Sequence, residues 1–113
     1  MKKILFICTS NKDRSPALQR YFAEHYPDNY YRSAGINQFN CKLNKTHYIL
    51  PQDIFWADVI VYAEDVHKRI MDLLYGDDTP SFVILNAGEF DKNKPLNYLI
   101  KAEEILLNAN ILP

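Results

Sequence analysis

The chain has 113 residues, room for one domain with one core and too few for two of ordinary size. It is 48% hydrophobic and 24% charged, a globular balance that excludes a disordered or collagen-like chain. With 13 Lys and Arg against 14 Asp and Glu the net charge is −1, so no nucleic-acid partner is expected, though a small local anion site is compatible with it. No apolar window approaches the roughly 20 residues of a membrane span, so no membrane partner is expected either. Polar Thr9–Arg14 ends the first apolar run too early for a secretory leader. Two cysteines, Cys8 and Cys41, make no disulfide framework, which points to a reduced, cytoplasmic location.

Lys3–Cys8 (KILFIC) is a near-continuous apolar run and predicts a strand buried on both faces. Ser15–Tyr26 predicts a helix, with Ser15 as N-cap, Pro16 at the first helical position and Pro27 past its end. Its core face is Ala17, Leu18, Tyr21 and Phe22. Tyr31–Gly35 is a weaker strand. Cys41 falls in a polar loop with no partner motif, and Leu43–Trp56, interrupted by Pro51, predicts an irregular lead-in and a short helix from about Pro51. Asp58–Ala63 and Ser81–Leu85 have the same buried-strand character as the first. Between them Glu64–Tyr75 predicts a helix with Val66, Ile70, Leu73 and Leu74 inward, stopping at Gly76. Pro95–Asn108 closes the chain with Leu96, Leu99, Ile100 and Leu106 inward. Strands alternating with helices mean βαβ units, a parallel sheet and right-handed crossovers, in one doubly wound domain spanning 1–113.

In such sheets ligands bind beyond the carboxyl ends of the strands, where the strand order reverses. Cys8 ends the first strand, and Thr9, Ser10, Asn11, Lys12, Asp13 and Arg14 lead from it into a helix. Short polar residues in that place form an anion cradle, because successive backbone N–H groups turn inward and the helix dipole adds positive potential. Arg14 can grip two phosphate oxygens as a planar fork. Cys8 on the cradle floor is placed to react as a thiolate, and Ser15 can donate its hydroxyl hydrogen to that sulfur. Asn11 suits a left-handed turn position.

Cys8, then five residues, then Arg14-Ser15-Pro16 in this placement resembles the low-molecular-weight protein tyrosine phosphatase family. Ser33-Ala34-Gly35 is similar to that family's second-strand motif, in which a serine braces the loop asparagine, here Ser33 and Asn11. Trp56-Ala57-Asp58-Val59-Ile60, followed by Glu64 and His67, resembles the family's compact branch of roughly 110 residues. The resemblance implies a three-layer, flavodoxin-like fold of the phosphotyrosine phosphatase I type, with four parallel strands in the order 2-1-3-4. It also implies attack by Cys8 on a phosphate monoester, a phosphocysteine intermediate and hydrolysis by water. No metal and no organic cofactor are implied, and the substrate is a phosphotyrosine-containing protein or a small aryl phosphate.

Two departures from the family pattern concern charge. Ser10 stands where the family has a small residue, and Asp13 stands where it has a second cysteine that protects the nucleophile. A carboxylate about 5 Å from a thiolate or an oxyanion, at an effective dielectric near 20, opposes it by about 3 kcal/mol. In the resemblance the general-acid loop is Asn86-Ala87-Gly88-Glu89-Phe90-Asp91, one residue shorter than in the compact branch; Glu89, before an aromatic, is the first candidate acid and Asp91 the second. These departures leave two expectations: a phosphate-monoester hydrolase, or a phosphatase-like module that holds a phosphorylated or anionic partner without turning it over. An arsenate reductase of this fold needs further cysteines after Cys41, and a sugar phosphotransferase domain does not need Arg14. His25, His47 and His67 lack mutual ligand spacing, so no metal site is expected. Trp56 reads as core, Tyr48 and Phe39 as candidates for a substrate groove, and Lys92 and Lys94 as a solvated loop.

Overall fold

In the computed structural model, which describes residues 1–76 and 79–112, Lys3–Cys8 forms the first strand, β1, and Ile4 through Cys8 are all buried. Around it lie α1 (Arg14–His25), β2 (Tyr30–Gly35), α2 (Gln38–Asn44), α3 (Pro51–Trp56), β3 (Val59–Tyr62), α4 (Asp65–Tyr75), β4 (Ser81–Ile84) and α5 (Leu96–Asn108). The strands make one parallel sheet in the order β2-β1-β3-β4. This is the three-layer architecture anticipated above.

Strand alternation divides the apolar side chains between two cores. Ile4 and Phe6 of β1 and Val59 and Val61 of β3 face α1 and α5, where Leu18, Phe22, Leu99 and Leu106 close over them. Leu5, Ile7, Ile60 and Tyr62 face the other way, onto Ile49, Ala57 and Met71. Each fully buried aliphatic or aromatic side chain contributes about 1.5–3 kcal/mol, so the two cores together fix the sheet between its helix layers. The chain leaves β1 for β2 on one side and later enters β3 on the other. The reversal of strand order therefore falls beside the carboxyl end of β1, at Cys8.

Several expectations need correction. α1 begins at Arg14 with Asp13 in the N-cap position, so Ser15 is not the cap; Asp13 makes no side-chain cap bond, and the Ser15 hydroxyl is turned into the loop. Tyr21 on α1 is only half-buried. The region around Cys41 is a helix, α2, and Cys41 is its buried residue. The inward face of α4 is His67 and Met71, while Val66, Leu73 and Leu74 are exposed. A histidine whose ring nitrogens both find partners can take an inward place that hydropathy assigns to its aliphatic neighbours. On α5, Tyr98, Leu99, Ala102 and Leu106 are buried, and Leu96 and Ile100 are exposed. β4 is an edge strand with Ser81 and Phe82 exposed, not a strand buried on both faces; Phe82 carries the Lys68 ammonium 4.6 Å from its ring centroid. No helix among the described residues is long and apolar enough to cross a membrane.

Cys8 pairs across the sheet with Gly35, and here the backbone approach requires a residue without a side chain. A Cβ at Gly35 would lie 2.4 Å from Cys41 Sγ and 2.9 Å from both Asn11 N and Ser10 C. Gly35→Ala is therefore expected to lower the urea-unfolding free energy by about 2 kcal/mol, in the range of overpacking mutations. Adding Cys41→Ala should recover only part of this, because the two loop backbone atoms stay in place.

Candidate active site

The segment between β1 and α1 is held from below by backbone hydrogen bonds. Cys8 O accepts from Ile36 N–H at 3.0 Å, and Thr9 O accepts from Ile36 and Asn37 N–H at 3.1 and 3.0 Å. The Thr46 hydroxyl donates to Ser10 O. Asn11 takes the left-handed conformation, φ 52°, that its sequence position suggested. Its side chain is buried, and its amide nitrogen donates to Ser15 Oγ and Ser33 Oγ, both at 2.9 Å. Its amide oxygen accepts the His47 backbone N–H at 3.2 Å. Ser33 in turn donates to Gln19 Oε1 at 2.7 Å.

Ser15 is fully buried, with its hydroxyl 3.1 Å from Cys8 Sγ. Asn11 already donates to that hydroxyl, so the Ser15 hydrogen is left for the sulfur at 3.1 Å or for the Ala34 carbonyl at 3.5 Å, the sulfur being the nearer. Cys8, Thr9, Ser10, Lys12, Asp13 and Arg14 line a cavity of about 120 Å³. Asn11, the remaining loop residue, faces backwards and braces the loop from behind. Asp13 and Arg14 also line a cleft of about 610 Å³ with Glu64, Asn86, Gly88, Glu89 and Phe90. A neighbouring groove of about 480 Å³ runs past Asp13, Glu89, Phe90 and Asp91. The aromatic side of these spaces is Phe90; Tyr48 is instead packed against the inner core, and Phe39 is exposed on α2. Glu89 is exposed at the cleft, whereas the Asp91 carboxylate accepts the Asn93 N–H at 2.9 Å and caps a turn.

Four contributors were not assigned a place by sequence reasoning. Glu64, just before α4, holds Arg14 Nη1 through Oε2 at 2.5 Å. The Arg14 bond keeps its carboxyl below the ordinary carboxylate range, against the opposing effect of burial. His67, buried, lies 2.9 Å from Thr9 Oγ1 through Nε2. Burial first, and then the Arg14 charge, holds its imidazole down to about 4, although Glu64 and Asp65 act the other way. Behind the loop, the buried Asp53 carboxylate takes His47 Nε2 at 2.7 Å and the Leu50 N–H at 2.9 Å. The only sequence signals for these were an acid three residues after Leu50, at the start of α3, and the Glu64/His67 spacing at the start of α4.

No family model matches the chain, and no curated protein matches it by sequence. Solved structures do. The tyrosine phosphatase AmsI of Erwinia amylovora is 18% identical with a TM-score of 0.72, over 96% of this chain and 93% of that one. A low molecular weight protein tyrosine phosphatase from Streptococcus pyogenes is 14% identical with a TM-score of 0.71, over 96% and 93%. The YwlE arginine phosphatase of Geobacillus stearothermophilus is 17% identical with a TM-score of 0.65, over 98% and 90%. The chain thus has the fold of the low-molecular-weight protein tyrosine phosphatases, in agreement with the resemblance in its loop motif.

His67 makes stability depend on pH. Its unfolded imidazole titrates near 6.5. Between about 6.5 and 4 the unfolded chain therefore binds the proton and the native chain does not, and stability falls as pH drops through that window. Urea unfolding is expected to show a loss from this group of about 2–3 kcal/mol between pH 7 and pH 4.5. His67→Asn should remove most of that slope; an unchanged slope would assign it to other groups.

Proposed function

We propose that the chain is a cysteine-dependent phosphate-monoester hydrolase acting on phosphotyrosine or a similar aryl phosphate. The observation that carries this reading is the Cys8 sulfur, hydrogen-bonded by Ser15 at 3.1 Å, on the floor of a cavity that Arg14 also lines. In this reading the whole chain, 1–113, works as one phosphatase domain in the cytoplasm, a location supported by two free thiols. The substrate is a phosphorylated protein or a small aryl phosphate, and the chemistry uses no metal or organic cofactor.

The phosphoryl group enters the cradle with its oxygens toward the loop N–H groups of Thr9 to Arg14 and the Arg14 guanidinium. Cys8 Sγ attacks phosphorus, the S–P bond forms, and the ester P–O bond breaks. Glu89 passes its proton to the leaving oxygen. Water then attacks the phosphocysteine, returns a proton to Glu89, and the S–P bond breaks to release inorganic phosphate and the thiolate. The Ser15 hydroxyl steadies the sulfur as nucleophile and as leaving group. Asn11 and Ser33 hold the loop in its open curve. What supports Glu89 over Asp91 is that it lines the same cleft as Arg14, whereas the Asp91 carboxylate is committed to the Asn93 N–H. Turnover is favoured over mere retention of a partner, because holding an anion needs the cradle and Arg14 but not a serine-supported sulfur at its floor.

Asp13 is exposed and lines both the cavity and the cleft, with no ion pair among the described residues. It opposes the oxyanion without excluding it, since solvent and salt screen an exposed carboxylate.

Steady-state hydrolysis of an aryl phosphate between pH 5 and 7 tests the reading. Wild-type turnover is expected, with none detectable in Cys8→Ser and a loss of about 10³-fold in kcat/KM in Arg14→Ala. Glu89→Gln should lower kcat by about 10²-fold on an alkyl phosphate and less on a good aryl leaving group, with Asp91→Asn near wild type. Asp13→Ala is expected to raise kcat/KM about tenfold at low salt. Folded wild-type protein with no turnover across this range would overturn the proposal.

A further inference from the structure

The start of α4 touches the phosphate loop at both its ends. Glu64 reaches Arg14, the last loop residue, and His67 reaches Thr9, the residue after the nucleophile. The proton positions in this pair follow from the backbone. Glu64 N–H, a donor that cannot be otherwise, lies 3.1 Å from His67 Nδ1, so Nδ1 carries the lone pair. The hydrogen of the neutral ring is then on Nε2, 2.9 Å from Thr9 Oγ1, and Thr9 is the acceptor in that bond. The Thr9 hydroxyl hydrogen is not used up by His67.

We propose that Glu64 and His67 form one positioning device, in which His67 in its Nε2–H form turns the Thr9 hydroxyl into a donor for the oxyanion or the Cys8 sulfur, while Glu64 sets the plane of Arg14. Thr9 lines the same small cavity as Cys8 and Arg14, and among the described residues its hydroxyl has no hydrogen-bond partner other than His67. Glu64 engages Nη1 of Arg14 alone, which leaves the Nε–Nη2 edge, a pair of parallel N–H donors, for two oxyanion oxygens. Glu64 is therefore an orienting partner of Arg14 and not a competitor for the bound anion. Its side chain is free for this because the helix start is served by other groups: the Glu64 carbonyl accepts His67 N–H at 3.1 Å, and Asn86 Oδ1 accepts Asp65 N–H at 3.2 Å. Burial beside the Arg14 guanidinium keeps His67 neutral at the working pH, as the assigned tautomer requires.

The inference rests on the phosphatase reading but is tested by readouts that separate the two. In ¹⁵N spectra of wild-type protein at pH 7, His67 is expected to show a protonated Nε2 and an unprotonated Nδ1; the opposite tautomer overturns the inference. Thr9→Val removes the hydroxyl at constant shape, and is expected to lower kcat about tenfold with KM changed less than threefold; Thr9→Ser should restore it. His67→Phe should match Thr9→Val, and the double variant should fall no further, because both remove the same donor. His67→Asn, which keeps an acceptor and a donor, should retain more activity than His67→Phe. Losses that multiply in the double variant would show that His67 does not act through Thr9. The thermal shift produced by inorganic sulfate provides a measure independent of turnover and of whether His67→Phe is well packed, since Thr9→Val alone reports it. A wild-type sulfate shift that Thr9→Val and Glu64→Gln both reduce, in a protein that hydrolyses nothing, would sink the phosphatase reading and keep the positioning device. Full turnover and full sulfate shift in both variants would do the reverse.

Discussion

The Asn11 side chain is the tie on which the rest of the site depends. One amide joins the loop after β1 to Ser15 on α1, to Ser33 on β2, and to the backbone at His47 ahead of α3. The residue that does this is itself in the left-handed region, φ 52°, where most L-residues are unfavourable by about 1 kcal/mol or more. Three hydrogen bonds of ordinary geometry, each contributing roughly 1 kcal/mol, offset that strain. Because the amide donates twice and accepts once, its orientation is fixed, and the Ser15 hydroxyl is set beside the Cys8 sulfur and the Ala34 carbonyl. The local curve of the chain, the serine network and the setting of the Cys8 sulfur are one system.

Around that tie the charges are arranged unevenly. Arg14 is the positive group shared by the cavity and the cleft, and it is anchored by Glu64. Asp13, Glu64 and Glu89 all line the same cleft, so the basic potential is confined to the loop itself: its N–H groups, the free edge of the Arg14 guanidinium and Lys12, which lines the small cavity. In the proposed reading a net charge of −1 is no obstacle to anion binding, because such binding is governed over a few ångströms, within the screening length of physiological salt.

The sheet and the loop were legible in the sequence because they are dominated by local rules. β1 reads as a buried strand since Ile4 to Ile7 face two cores, and the loop reads as an anion site since its residue types follow from backbone geometry. The helix faces were less legible. His67 occupies an inward place that hydropathy gives to Val66 or Leu73, and it does so through two hydrogen bonds that no periodicity encodes. α2 is short, and its one buried residue, Cys41, gives no repeating apolar signal. Ser15 looked like an N-cap because serine before proline is a common helix start. The structure uses its hydroxyl for Asn11 and Cys8 instead, a long-range choice that local propensity cannot contain. Glu64, Asp53 and His47 act through contacts made between segments of the fold, such as the 50 positions separating Glu64 from Arg14.

The bracing of the loop has a consequence for how a ligand meets it. Thr9, Ser10 and Asn11 each have a backbone or side-chain tether to β2, to the turn that follows it or to the segment after α2. In the proposed reading the donors of the cradle are thus already ordered when the anion arrives, and little conformational entropy is lost on binding. A receptor of this kind takes in its guest without closing or folding. Its complexes should differ from one another mainly in how fast they come apart, since the encounter itself presents the same rigid mouth to each of them.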